Sequence, residues 1–346
     1  MPAGLTMSNP TSTRQFFLDL IEGHKPEFFF EGQTDFSTWH ANFFARFREC
    51  LGALPEAIPL TSETQWEGTE DGIHKKKILL HTAAHTFVPA IILRPESEIL
   101  GAIVAIHGHG PCGKDPVAGA TYLEAASQQA HYNYGYGLEL ARAGHLVICP
   151  DLRPFGERSD SMPGERPLPG RDPCNVHAIK GWLLGWNLLT YNLWDLRCCI
   201  DHLIACENAD PARIGVIGLS GGGAAAMHLG AWDPRISATA IICALNSYRS
   251  WAIETDNFCG TQFLPGMFRH GDHAEICGLI APRFLHIEHG GFDYGFPVAD
   301  TRCALERLSC IYAAAGVPDH LTSHLGYGGH QYYGTAPAFF ARAFNG

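Results

Sequence analysis

Long hydrophobic runs are missing from this chain. No window approaches the roughly 18 uninterrupted apolar residues that a membrane-crossing helix needs, so no such span is expected. Residues 1 to 22 lack a continuous apolar stretch behind a basic start, so a secretory signal is not expected either. Positive charge is also scarce, with 24 Lys and Arg against 35 Asp and Glu and a net charge of −11. The longest basic run is Lys75-Lys76-Lys77, which reads as the flank of a strand. A nucleic-acid-binding face is therefore excluded from the expectations. Twelve cysteines are present, but no Cys-x-x-Cys pair, so neither a zinc site nor a redox dithiol is suggested. Cys198 and Cys199 are neighbours that cannot easily bridge each other, and Cys149 and Cys243 lie in apolar runs as small hydrophobes. These features fit a reducing cytoplasm. Internal repeats and low-complexity tracts are absent as well.

What is present is the composition of a soluble globular protein, 46% hydrophobic and 17% charged over 346 residues. That length holds one large α/β domain or two ordinary ones. The spacing predicts helix over 16–54, where Phe43, Phe44, Phe47 and Leu51 recur at helical intervals. Strands are predicted at 77–82 and 88–93, joined through Ala83-Ala84-His85, and at 101–106. A polar, glycine-rich stretch follows, then a helix at 136–143, a strand at 145–150 and a loop at 151–175. One helix is expected over 181–206, and strands at 213–217, 237–244 and 283–288. A helix over 298–315, a last strand at 320–325 and a closing helix at 335–344 complete the pattern. Alternating strands and helices with apolar strand runs imply a mostly parallel sheet covered on both faces. The short link between the first two strands implies an antiparallel start.

Gly218-Leu219-Ser220-Gly221-Gly222 is the most informative segment. The β-branched run Ile214-Gly215-Val216-Ile217 precedes it, and the small-residue run Gly223-Ala224-Ala225-Ala226 follows. A serine on so sharp a strand-to-helix turn is driven toward an unfavourable backbone conformation, with its hydroxyl projecting from the sheet top. This is the pattern of a nucleophile elbow. A serine hydroxyl needs a base to take its proton, and the base needs a carboxylate to hold its tautomer.

Asp293 lies five residues beyond the strand ending at Glu288, in the glycine-rich turn 289–297. Glu288 in the strand and Asp300 in the next helix are its rivals, and a solvated turn residue is the bland alternative. Among nineteen histidines, His330 stands out because Gly326-Tyr327-Gly328-Gly329 leads into it after the last strand. His324, inside that strand, reads as a sheet residue. For the oxyanion formed on attack, the backbone N–H of Gly221 is one expected donor. The second is expected from His107-Gly108-His109-Gly110, with His109 favoured and Gly110 next. A metal reading of His107 and His109 lacks a third ligand in view, so no metal and no cofactor are expected. Between residues 245 and 280 periodicity is weak and aromatics are many. Tyr248, Trp251, Phe258 and Phe263 are expected to wall an apolar pocket.

With these pieces placed, the chain resembles the α/β-hydrolase superfamily, in its dienelactone-hydrolase-like and acetyl-xylan-esterase-like branch. The resembling stretches are Ala105-Ile106-His107-Gly108-His109-Gly110, Pro150-Asp151-Leu152-Arg153-Pro154-Phe155-Gly156-Glu157-Arg158 and the run from Asp210 through Gly222. Gly291-Phe292-Asp293, Phe296-Pro297 and Gly328-Gly329-His330 complete them. The resemblance implies an eight-stranded, mostly parallel sheet, a triad of Ser220, Asp293 and His330, and cleavage of esters or related acyl bonds without metal. Residues 70–346 would be the catalytic domain with a cap-like insertion at about 245–280, and residues 1–69 a helical extension that is not part of the hydrolase core but packs on it. Glu157 and Arg158 are expected in a loop salt bridge. The expected partner is a small-molecule ester, with no nucleic acid, no membrane and homo-oligomerisation left open. A peptidase or amidase of the same fold, and a non-catalytic binding protein, stand as alternatives.

Overall fold

The computed structural model describes residues 11–32, 35–160 and 171–345. Residues 1–10 of the expected extension and 161–170 of the expected loop lie outside them. The elements begin with α1 (Thr13–Ile21), α2 (Phe36–Leu51), β1 (Thr61–Glu70), β2 (Ile73–Ala83), β3 (Thr86–Pro95) and β4 (Ala102–Ile106). Next come α3 (Leu123–Tyr132), α4 (Tyr136–Arg142), β5 (Leu146–Pro150), α5 (Pro173–Leu183) and α6 (Leu188–Cys206). The second half runs β6 (Ile214–Leu219), α7 (Gly221–Trp232), β7 (Ile236–Ile242), α8 (His273–Gly278) and β8 (Phe284–Gly290). It closes with α9 (Val298–Ala314), β9 (Leu321–Gly326) and α10 (Ala336–Asn345).

The nine strands form one sheet in the order β1-β2-β3-β5-β4-β6-β7-β8-β9. β1, β2, β3 and β5 pair antiparallel, and from β5 onward every pair is parallel. The expected count of eight is corrected by β1. All ten of its residues are exposed, so this polar edge strand carries no period-2 apolar signal. The sheet therefore begins before residue 70, inside the segment expected to be helical extension. Lys75, Lys76 and Lys77 lie within β2 and not beside it, paired with Glu70, Glu207 and Glu157.

The helical readings sharpen in three places. The single helix expected over 16–54 is two, separated by a stretch containing Gly23 and Pro26. The one expected over 181–206 breaks at Gly185, whose φ is +76°, and restarts at Asn187, whose side chain accepts from Leu189 N–H at 2.8 Å. Helix α3 stands in the stretch that periodicity left unassigned.

On one face of the sheet α2, α6, α8 and α9 pack in a core with Phe43, Phe47, Leu193, Leu196 and Ile311, all fully buried. The other face is covered by α4 and α10 through Tyr136, Leu140 and Phe340. Each large apolar side chain buried this way contributes about 1.5–3 kcal/mol relative to exposure. Helix α2 thus belongs to the packed core through Trp39, Phe43, Phe47 and Leu51. β4 lies between β5 and β6, so the strand order reverses there and a crevice opens at the carboxyl ends of β4 and β6. Ile106 of β4 is in register with Gly218 of β6, which brings the loop 107–110 against the turn at Ser220.

Candidate active site

Ser220 has φ +59° and ψ −119°, a region costly for any residue with a Cβ. Two ties hold it there: its N–H donates to Ile242 O at 2.9 Å and its carbonyl accepts from Ala224 N–H at 2.9 Å. The turn is too tight for side chains at its flanks. A Cβ on Gly218 would collide with the backbone of Gly222, and one on Gly222 with the carbonyls of Ile106 and His107. The strain is held in place by β6 on one side and α7 on the other, and the serine side chain faces a cavity of about 340 Å³.

His330 lies on the loop after β9 and lines the same cavity. Its Nδ1 is 2.7 Å from Asp293 Oδ2. An ionised carboxylate only accepts, so Nδ1 carries the proton and Nε2 is left as a base. Among the described residues nothing bonds Nε2. Asp293 is fixed by its own turn, where Oδ1 accepts from Gly295 N–H at 2.9 Å and Phe296 N–H at 3.0 Å. Burial alone would raise the Asp293 carboxyl, but the His330 bond and charge, His289 and the Phe296 N–H outweigh it and hold it below the usual range. The Phe296 ring stacks on the imidazole at 5.5 Å and 10°, and Trp251 stacks behind Phe296 at 6.0 Å.

The rivals are engaged elsewhere. Glu288, buried in β8, accepts from Tyr333 N–H at 2.8 Å and from Thr335 N–H at 3.0 Å, anchoring the chain beyond His330. Asp300 takes the Ser250 hydroxyl at 2.7 Å on α9, and His324 stays in β9 beside the Tyr333 ring.

His109 N lies 3.7 Å from where a Cβ on Gly221 would stand, so the backbone N–H groups of the two residues belong to adjoining segments beside Ser220. Neither has an acceptor among the described residues. The loop bearing His109 is braced by groups the sequence reading passed over. Tyr134 accepts from Gly108 N–H and Tyr136 donates to Ile106 O. The alternating tyrosines 132, 134 and 136 were the available signal. His107 is structural: fully buried, its Nε2 accepts from Leu152 N–H at 2.9 Å, and burial lowers its pKa.

Of the four expected pocket aromatics, Trp251 and Phe258 line the cavity. Tyr248 and Phe263 do not. They face a separate apolar cavity of about 690 Å³ with Phe17, Leu20 and Met267, which Phe258 also borders. Tyr248 packs on His273 at 4.5 Å and Phe268 at 5.6 Å, one turn before Trp251 at the start of the helical turn Arg249–Glu254. Polar groups take their place around Ser220: Tyr132, Asp172, Asp256, Asn257 and Gln262. No Lys or Arg lines this cavity among the described residues.

Glu157 and Arg158 do form loop ion pairs, with Lys114 and Asp195 respectively. Among the described residues two groups each bring three possible metal-ligating side chains within reach: Cys243 with His289 and Asp293, and His109 with Cys174 and Cys259. In the first, Asp293 is already committed to His330 and His289 Nε2 to Phe296 O at 2.8 Å. Among the described residues no helix is long and apolar enough to cross a membrane.

The model of the abhydrolase family matches residues 9–331, nearly the whole chain. The chain belongs to the abhydrolase family. The match begins before β1, so it takes in the residues of α1 and α2 of this abhydrolase. It is 28% identical over 284 residues to the Bacillus subtilis protein named "Putative hydrolase YtaP", covering 78% of this chain and 86% of that one. Its fold is similar to that of a "putative acetyl xylan esterase" from Bacteroides fragilis, with a TM-score of 0.74 and 17% identity over 91% of this chain and 82% of the other. A glucuronoyl esterase from Solibacter usitatus is similar at a TM-score of 0.64, with 17% identity over 90% and 94% of the two chains. At such identities the likeness is one of α/β-hydrolase fold.

Proposed function

We propose that this abhydrolase is a serine carboxylic-ester hydrolase. One observation carries the reading: the Asp293–His330 pair at 2.7 Å opens onto the cavity that holds the strained Ser220. Ser220 Oγ attacks the acyl carbon while His330 Nε2 takes its proton. The N–H groups of Gly221 and His109 bind the oxyanion, each worth about 3 kcal/mol of barrier in comparable sites. The C–O bond to the alcohol breaks, and His330 returns the proton to the departing oxygen. Water, deprotonated by His330, then attacks the acyl-serine ester and releases the acid. Asp293 orients the ring and stabilises the imidazolium.

The lining favours a neutral, hydroxyl-rich ester. Asn257, Gln262 and Tyr132 supply hydrogen bonds, Trp251 and Phe258 supply flat apolar faces, and Asp172 and Asp256 disfavour an anionic substrate. Acetylated sugars fit this description, and the similarly folded proteins named for acetyl xylan and glucuronoyl esters agree with it. Replacing Ser220 by Ala is expected to lower turnover of nitrophenyl acetate and of an acetylated sugar by about 10⁴-fold or more. A fluorophosphonate probe should label Ser220 in the native protein. Turnover close to native in Ser220→Ala would overturn the mechanism.

A further inference from the structure

Beside the same cavity, which His109 and Cys259 line, three segments distant in sequence bring His109, Cys174 and Cys259 together. His109 comes from the loop after β4, Cys174 from the first turn of α5, and Cys259 from the segment between β7 and α8. We infer that His109 Nε2, Cys174 Sγ and Cys259 Sγ form a binding site for a thiophilic divalent cation of the zinc class.

The three atoms lie within 4.8 Å of one another. Tetrahedral zinc with bonds of about 2.3 Å to sulfur and 2.0 Å to nitrogen needs ligand separations of about 3.5–3.8 Å, a small side-chain adjustment away. Nδ1 of His109 faces Gly221, so the ring presents Nε2 to the sulfurs, 2.9 Å from Cys259 Sγ. The outer partners also suit a thiolate. Thr261 Oγ1 is 2.9 Å from Cys259 Sγ, and the Cys259 N–H donates to Gln262 Oε1 at 3.2 Å. Asp172, which caps α5 through Cys174 N–H at 3.1 Å and lines the cavity, puts a carboxylate next to Cys174.

A cation held here would tie α5 and the 251–262 segment to the loop that supplies the His109 N–H. It would clamp the pocket wall without entering the serine chemistry, and the inference does not rest on ester hydrolysis. Reduced, full-length protein stripped with EDTA is titrated with Zn²⁺, and with Co²⁺ as an optical reporter. The expected result is one cation per chain and a thiolate-to-cobalt charge-transfer band. Cys174→Ser and Cys259→Ser should each weaken binding by at least about 10-fold. Should those variants not fold, alkylation of the native protein decides the matter. Zn²⁺ should shield Cys174 and Cys259 while the exposed Cys206, Cys303 and Cys310 react as before. Native affinity in both serine variants, absence of the charge-transfer band, no shielding, or recovery of Cys174 and Cys259 as a disulfide would each overturn it.

Discussion

Asp151 and Asp293 are two buried carboxylates on loops at the same edge of the sheet, one beyond β5 and one beyond β8, and each holds a basic partner. Their side chains are both 0% exposed, yet their partners differ. Asp151 accepts from Lys114 N–H at 2.8 Å, Lys114 Nζ at 2.9 Å and Glu157 N–H at 3.0 Å, and Lys114 is itself sealed at 1% exposure. Burial would lower the Lys114 ammonium, but Asp151, Asp115 and Glu157 outweigh it and hold it well above the ordinary lysine range. Every donor there is used up, so the pair locks a loop. Asp293 spends one oxygen on its own turn and the other on His330, whose far nitrogen remains free at a cavity wall. A buried carboxylate becomes chemically useful when its partner keeps one unspent valence facing a cavity.

The sharpest way to break that contrast is Asp293→Asn. The turn through Oδ1 survives, but an amide no longer demands Nδ1–H on His330. We expect kcat for ester hydrolysis to fall by about 10⁴-fold with little change in urea midpoint. A fall below tenfold would make the two carboxylates equivalent. Asp151→Asn should do the reverse, costing about 3 kcal/mol in urea unfolding because Lys114 loses its main counter-charge in a buried site. Turnover by the folded fraction should suffer far less than in Asp293→Asn.

Glu207 offers a smaller effect of the saturated kind. Its carboxylate meets Lys76 on β2 and Arg94 on β3. Burial would raise it, but His202, Arg94 and Lys76 pull it from 4.5 to about 2. With the folded value depressed, its contribution is complete above pH 4.5 and drains away as pH falls toward 2. Glu207→Gln should cost about 2 kcal/mol at neutral pH, after allowance for solvent screening, and remove that portion of the acid dependence. Equal pH slopes in native and variant protein between those limits would contradict the assignment.

Most of the sheet was readable because buried parallel strands are continuous apolar runs, as in β4 and β6, where every residue is buried. β1 was invisible for the converse reason, and the α5–α6 break hid inside one apolar period until Gly185 and Asn187 were seen as stop and start. Ser220, Asp293 and His330 stood out through local chemistry: a glycine-flanked turn and two glycine-rich loops following strands. The orientation of Tyr248 and Phe263 had no such marker, since a segment without periodicity does not disclose which side faces a cavity.

By itself the sequence determined the strained serine turn, the alternation of strands and helices from β2 onward apart from α3 and the α5–α6 break, and the loops able to carry an acid and a base, because each is a matter of a few neighbouring residues and their dihedral and hydrophobic preferences. Tertiary structure alone decided that Cys174 and Cys259 meet His109, that polar groups and not Tyr248 surround Ser220, and that His330 keeps its outer nitrogen free. Those outcomes depend on how β4 pairs with β6 and how α5 and the 251–262 segment pack across the crevice, and such long-range contacts leave no periodic trace along the chain.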